Sequence, residues 1–167
     1  MNALRTWRTR LTQWIYQKWL YRGGRPNPVA ASLNRFWAAL HAFGIAPNYL
    51  VTLEVTGRQS GRKIKLPLVM VVVNNERYLV SMLGEQVNWV RNVQAADGNA
   101  TLYHGRCEEV HLATVAVAER APILKAYLQR TPGARAHVPI HKDAPLPAFE
   151  QVAAQLPVFR VQTRSAT

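Results

Sequence analysis

The residues best suited to chemistry crowd one short stretch, Thr56-Gly57-Arg58-Gln59-Ser60-Gly61, with Arg62, Lys63 and Lys65 directly behind it. Arginine and lysine supply positive charge and several hydrogen-bond donors each. Gly57 and Gly61 permit backbone angles closed to other residues, and successive amides in such a turn can cradle an anion. The chemistry on offer is recognition of phosphate or carboxylate. The same residues equally suit a solvated hairpin tip, because charged tips and glycine turns need no ligand. The residues alone leave both readings open.

A second group follows. Ser81-Met82-Leu83-Gly84 leads into Asn88, Trp89 and Asn92, where the start of a helix would turn free amides outward. An aromatic ring, a side-chain amide and a cationic turn together suit a flat, phosphorylated redox cofactor, with the protein supplying binding and orientation. Other chemistries find less. There is no G-x-S-x-G, H-E-x-x-H or Walker loop. His137 and His141 are separated by Pro139 and have only Asp143 nearby, so no metal site is expected. Glu108 and Glu109 are adjacent, so on a strand they face opposite sides and cannot work as a carboxylate pair. Cys107 is the single cysteine; it excludes an internal disulfide and reads as a packing residue on a strand.

The elements that must position these groups can be read from periodicity. Val51, Leu53 and Val55 alternate with Thr52, Glu54 and Thr56, the pattern of a half-buried strand over 50–56. A second strand is expected from about Lys63 to Val73, bent or bulged at Leu66-Pro67-Leu68 because proline cannot donate to a ladder. Asn74-Asn75-Glu76 reads as a hairpin turn and Arg77–Met82 as the third strand. Asn88 would cap a short helix closed by Asp97-Gly98. Residues 100–104 and 106–117 form a hairpin about Gly105. A helix over 119–130 turns Ile123, Leu124, Tyr127 and Leu128 inward, residues 134–147 are irregular, and a helix near 148–155 precedes a last strand, Val158–Gln162. Short strands joined by hairpins, with flanking helices, predict an α+β chain built on a small antiparallel barrel.

The N-terminal third differs in kind. A net charge of +12 invites anionic partners, and no acid precedes Glu54 while Arg5, Arg8, Arg10, Lys18, Arg22, Arg25 and Arg35 do. Over residues 4–20, Leu4, Trp7, Leu11, Trp14, Ile15 and Trp19 fall on one helical stripe. Such a helix suits peripheral contact with a membrane surface, or packing on its own domain or a partner. A second helix runs from about Pro28 to Phe43. The division is therefore an amphipathic, basic extension, 1–45, and a barrel domain, 46–167. Nucleic acid is not expected as a partner, since no binding motif accompanies the charge. No run approaches the roughly 18 apolar residues of a membrane span, and no secretory signal is visible, so a cytoplasmic location, with or without membrane association, is expected.

T-G-R-x-S-G at Thr56–Gly61, Pro67-Leu68, Tyr78-Leu79-Val80-Ser81, W-x-x-N at Trp89–Asn92 with Ala95, and the closing P-V-F-R strand resemble, in this order, the deazaflavin-dependent nitroreductase family. The resemblance covers roughly Tyr49 to Gln162. It implies a split β-barrel of the flavin-reductase type that binds coenzyme F-420, whose tail carries phosphate and glutamates. It also implies hydride transfer from the reduced cofactor to a quinone, nitro compound or other electron-poor small molecule. By position, Arg58, Gln59, Ser60 and Gly61 belong to the turn that meets the tail, with Arg62, Lys63, Lys65 and Pro67 beside it. Ser81, Met82 and Gly84 flank the ring or phosphate, and Trp89 and Asn92 line the same groove. No catalytic side chain is implied; Tyr127, His137 and His141 are the candidate proton donors. Gln59 and Leu83 stand where the family commonly has lysine, and Lys63 where it often has proline, which keeps flavin mononucleotide as the alternative cofactor. A non-enzymatic barrel holding a lipid or cofactor at a membrane is the competing reading. Members of the family often pair, which implies a homodimer.

Overall fold

The computed structural model describes residues 49–131, 134–135 and 138–164. The expected helices over residues 4–20 and 28–43, and His137, lie outside the described residues.

Alternation sets the first strand. In β1 (Leu50–Thr56), Val51, Leu53 and Val55 are buried while Glu54 and Thr56 keep partial exposure. β2 (Lys63–Val73) pairs with it antiparallel, from Leu50 opposite Val69 to Thr56 opposite Lys63. The expected bulge at Leu66-Pro67-Leu68 is absent: Pro67 sits in unbroken register opposite Thr52. The reason is local. β2 pairs with β3 (Glu76–Val80) only over Met70–Val73, so at Pro67 the strand has a partner on one side, and the missing N–H need break no ladder bond. Asn74 and Asn75 close the β2–β3 hairpin with φ of 50° and 63°, the left-handed pair that matches the twist of the strands.

β3 stops at Val80, short of the expected Met82, because the Ser81 N–H turns away to donate to the Pro157 carbonyl at 2.9 Å. Helix α1 (Asn88–Ala95) follows, then β4 (Asn99–Tyr103) and β5 (Cys107–Thr114). A 3-10 turn at Val117–Glu119 replaces the tail of the expected fifth strand and leads into α2 (Arg120–Arg130). α3 (Leu146–Ala153) and β6 (Val158–Thr163) complete the order. The strands close into an antiparallel barrel, β1-β2-β3-β6-β5-β4. Its seam, where β1 meets β4, has three residue pairs: Thr52–Tyr103, Leu53–Leu102 and Glu54–Thr101.

Two apolar cores result. Inside the barrel, Leu53, Leu79, Leu102, Val110, Leu112 and Phe159 pack with Val90 and Val93 of α1, which covers one end. Outside it, Val71, Tyr78 and Val80 meet Ile123, Leu124, Tyr127 and Leu128 of α2 and Phe149 of α3. The buried guanidinium of Arg120 ties these helices together, donating to the carbonyls of Val115 at 2.9 Å and Ala153 at 3.0 Å. Burial lowers its pKa.

The other barrel mouth is polar. Arg77, Glu108 and Thr163 have the inward parity of Leu79, Val110 and Val161. Arg77 donates twice to Glu108, at 2.8 and 2.6 Å, and the Thr163 hydroxyl also bonds that carboxylate. Glu109 is exposed on the opposite side, as adjacency predicts. Cys107 is exposed at the start of β5, not packed as expected, since it has the outward parity of Glu109.

Hydrogen bonding from Arg77 leads the causes that hold the Glu108 carboxyl at a pKa of about 2, against an ordinary 4.5. A depressed folded-state pKa contributes stability above the unfolded value, and that stability is lost as pH falls. Urea denaturation of the native chain and of Glu108→Gln should therefore differ by a constant amount, on the order of 2 kcal/mol, above about pH 5. The difference should shrink between pH 4.5 and 2. A gap that does not change with pH would remove the carboxylate as its source.

Candidate functional site

The turn after β1 is held by its own backbone. The Gly57 N–H donates to the Arg62 carbonyl and the Gly61 N–H to the Gly57 carbonyl, both at 2.8 Å. The Arg62 N–H donates to Ser60 Oγ at 3.3 Å, and the Arg58 N–H to Asn92 Oδ1 at 3.3 Å. Gly61 takes φ 65°, which the turn requires and most residues resist. Four amides of the turn, those of Gly57, Arg58, Gly61 and Arg62, are thus spent on holding it, and Ser60 is a brace within it.

Arg58 reaches across to α1. Its Nη1 donates to Asn92 Oδ1 at 2.8 Å and its Nη2 to Asn88 Oδ1 at 3.3 Å. Asn88 and Asn92 are four apart, so both face the turn from one side of the helix. Asn92 is 3% exposed, covered by the arginine it holds. Asn88 does not cap α1 as expected: Val87 is the N-cap residue, and no side chain caps the helix. Its role at the turn was missed, although the i, i+4 spacing of two asparagines was there to be read. Arg62 and Lys63 are exposed, and no carboxylate lies within 4.0 Å of them or of Arg58 among the described residues. Gln59 is exposed at the tip.

The remaining candidates separate. Lys65 lies on the outer face of the barrel, 3.3 Å from Glu54 Oε2 and 4.2 Å above the Tyr103 ring, so its charge is already engaged. Tyr103 in turn donates to Glu54 at 3.0 Å. Pro67 shares that outer face two residues along. Ser81 is buried and donates its hydroxyl to the Gly84 carbonyl at 2.7 Å, fixing a loop in which Gly84 takes φ 83°. Met82 and Gly84 line a cleft of about 380 Å³ with Leu83, Val152, Gln155 and Leu156, between this loop and α3. Trp89 meets Phe159 edge-on, with centroids 5.5 Å apart, which anchors the indole to the barrel core.

Of the proton-donor candidates, Tyr127 is 5% exposed within the outer core, inward as the helix pattern predicts, and burial pushes its phenol up to about 12. His141 is exposed, its Nδ1 3.6 Å from Asp143, on the irregular segment before α3. Among the described residues, no cluster of three His, Cys, Asp or Glu side chains could hold a metal ion.

The donor set fits an anion. Arg58, Arg62 and Lys63 flank one turn with no carboxylate within 4.0 Å among the described residues, and guanidinium and ammonium groups are the usual partners of phosphate and carboxylate.

Known proteins agree with this architecture. The model of a family described as F420H(2)-dependent quinone reductase matches residues 35–142, more than half of the chain. A structure titled as an F420-H2 dependent reductase (FDR-A) is 20% identical, with a TM-score of 0.47, covering 68% of this chain and 94% of that one. A structure titled as a domain-swapped dimer is also 20% identical, with a TM-score of 0.51, covering 80% of this chain and 96% of that one. A protein of unknown function from Agrobacterium tumefaciens str. C58 is 13% identical, with a TM-score of 0.53, covering 85% of this chain and 56% of that one. At these identities, the two likenesses with TM-scores above 0.5 speak to the fold alone. A search of curated proteins found no match.

Replacing Asn92 by alanine removes the acceptor of two Arg58 donors from a buried position. Asn92→Ala should lose about 1–3 kcal/mol of unfolding free energy in urea denaturation. A loss no larger than that of an exposed alanine substitution would mean that the arginine fork does not hold turn and helix together.

Proposed function

The chain belongs to the F420H(2)-dependent quinone reductase family, and we propose that it passes hydride from reduced coenzyme F-420 to a quinone, a nitro compound or another electron-poor small molecule. The observation that carries the site assignment is Arg58 held against Asn88 and Asn92, at a cationic turn that no acid neutralises among the described residues. When bound, the cofactor supplies the hydride, so the protein needs no nucleophile.

The side chains of this chain bind and orient. Arg62 and Lys63 meet the anionic tail with Gln59 at the tip between them and solvent. Arg58 fixes the turn to α1 and adds its own charge. Ser81 holds the loop that carries Met82 and Gly84, and the cleft beside that loop would admit the ring or the acceptor. Trp89, anchored on Phe159, forms a rigid wall. Lys65 stands beside the turn with its charge shared with Glu54, and Pro67 lies on the same face of β2. We propose a homodimer as the working assembly. The supports are the family resemblance and a structural neighbour titled as a domain-swapped dimer.

Titration of the purified protein with coenzyme F-420 and with flavin mononucleotide, followed by cofactor fluorescence, tests the reading. Saturable binding of the deazaflavin and weaker binding of the flavin are expected; no saturation with either would sink it. Arg58→Ala should weaken deazaflavin binding about tenfold, since it removes a charge and loosens the turn. An unchanged dissociation constant would take the turn out of the site.

A further inference from the structure

The cleft between the loop after β3 and α3 differs in chemistry from the rest of the surface. The chain carries a net charge of +12, yet none of the described residues lining these 380 Å³ ionises. Met82, Leu83, Val152 and Leu156 give it apolar walls, and Pro139 joins them from the irregular segment before α3. Leu83 lines the cleft while remaining 53% exposed, the most exposed large apolar side chain among the described residues. Gln155 is the one lining residue with a polar side chain, and its carboxamide hydrogen-bonds to no other described residue.

Both walls are fixed by the protein itself. On one side the Ser81 hydroxyl donates to the Gly84 carbonyl and the Ser81 N–H to the Pro157 carbonyl. On the other, Arg120 Nη1 donates to the carbonyls of Ala153 at 3.0 Å and Leu156 at 3.4 Å, at the end of α3 and just past it. A Cβ on Gly84 would lie 3.5 Å from the Gln155 carbonyl, so loop and helix end meet closely at one point. A cleft held open in this way asks little ordering of the protein when a ligand enters.

We infer that the cleft binds a neutral, mainly apolar small molecule with a hydrogen-bond-accepting oxygen, and that Leu83 and Gln155 set this choice. Its volume is at the lower end of the roughly 300–1,000 Å³ of small-molecule sites and suits a single substituted ring. The net charge of the chain draws anions toward it, but an ion entering this cleft gives up its water to walls that offer no opposite charge. A neutral molecule loses less and gains apolar contact, above all with Leu83. The free carboxamide of Gln155 has N–H groups to donate to an oxygen of the ligand. Assigning this molecule to the role of electron acceptor rests on the reading proposed above; the binding itself is measured without cofactor.

The full chain, isotope-labelled at the methionine methyls and followed by NMR, is titrated with methyl para-nitrobenzoate and with the para-nitrobenzoate anion, which differ in charge and one methyl group. Met82 reports on the cleft, and Met70, buried inside the barrel, on any change that spreads beyond it. The ester should shift Met82 saturably and leave Met70 in place, and the anion should shift neither over the same range. Leu83→Lys, which keeps an apolar stem and ends in a charge, should weaken the ester about threefold and admit the anion. Gln155→Leu should weaken the ester about fivefold. Val72→Ala, at an exposed apolar side chain opposite Arg77, should change nothing. Absence of a saturable Met82 shift with the ester would overturn the inference, as would equal binding of ester and anion by the native chain, or unchanged binding in both cleft variants. With reduced coenzyme F-420 supplied, the same preference for the ester should appear in kcat/KM. Equal kcat/KM for the two compounds, despite selective binding, would overturn the assignment of the cleft to the acceptor. Selective binding with reduction of neither compound would defeat the proposed reductase function and leave the cleft a site for neutral molecules.

Discussion

The site depends on how Arg58 is held. Its guanidinium and its own amide are gripped by oxygens that carry no charge, the carboxamides of Asn92 and Asn88. A carboxylate in either place would make a stronger bond, but it would also cancel the arginine's field. Amide oxygens give position without neutralisation. The β1–β2 turn can therefore be stiff and remain strongly positive, a combination that an ordinary ion pair does not give. The mouth at the other end of the barrel shows the contrast. There Arg77 is met by Glu108 and Thr163, the charges cancel, and the result is a closure of the core.

The barrel itself explains why the turn and α1 meet. β1 carries the turn at its end, and α1 covers the same end with Val90 and Val93 against the interior residues. The helix is thus pinned between an apolar core below and the Arg58 fork above. α2 and α3 do different work. They cover the outer face of β2 and β3 and are tied to each other by Arg120, whose buried charge is shared among carbonyls.

Much of this was legible. Alternating Val51, Leu53 and Val55 gave the first strand its bounds and its buried face, and Asn74-Asn75 named the hairpin turn, because these are local signals. The ordered motifs were enough to point to the family, and the match over residues 35–142 agrees with them. What was not legible depended on distant partners. The partner of the Arg58 amide and guanidinium is Asn92, more than thirty residues away. Lys65 reads as one more basic residue of the turn, until the register places it opposite Glu54 and beside Tyr103. Glu108 and Glu109 were correctly sent to opposite faces, but only barrel closure makes one of those faces an interior. Pro67 was read as a bend because one-sided pairing of β2 cannot be seen in a linear chain.

The β1–β4 seam has a consequence for how this barrel breathes. Three residue pairs join strands that lie about fifty positions apart, fewer than any other pairing around the sheet. Closing such a junction orders a long loop for few ladder bonds, so it contributes less per residue than its neighbours to holding the barrel shut. The Tyr103–Glu54 bond is a latch on that junction. Since β1 also bears the cationic turn, unzipping the seam would swing the turn with it. The position of Arg58 and the integrity of the weakest hoop in the barrel are thus mechanically linked.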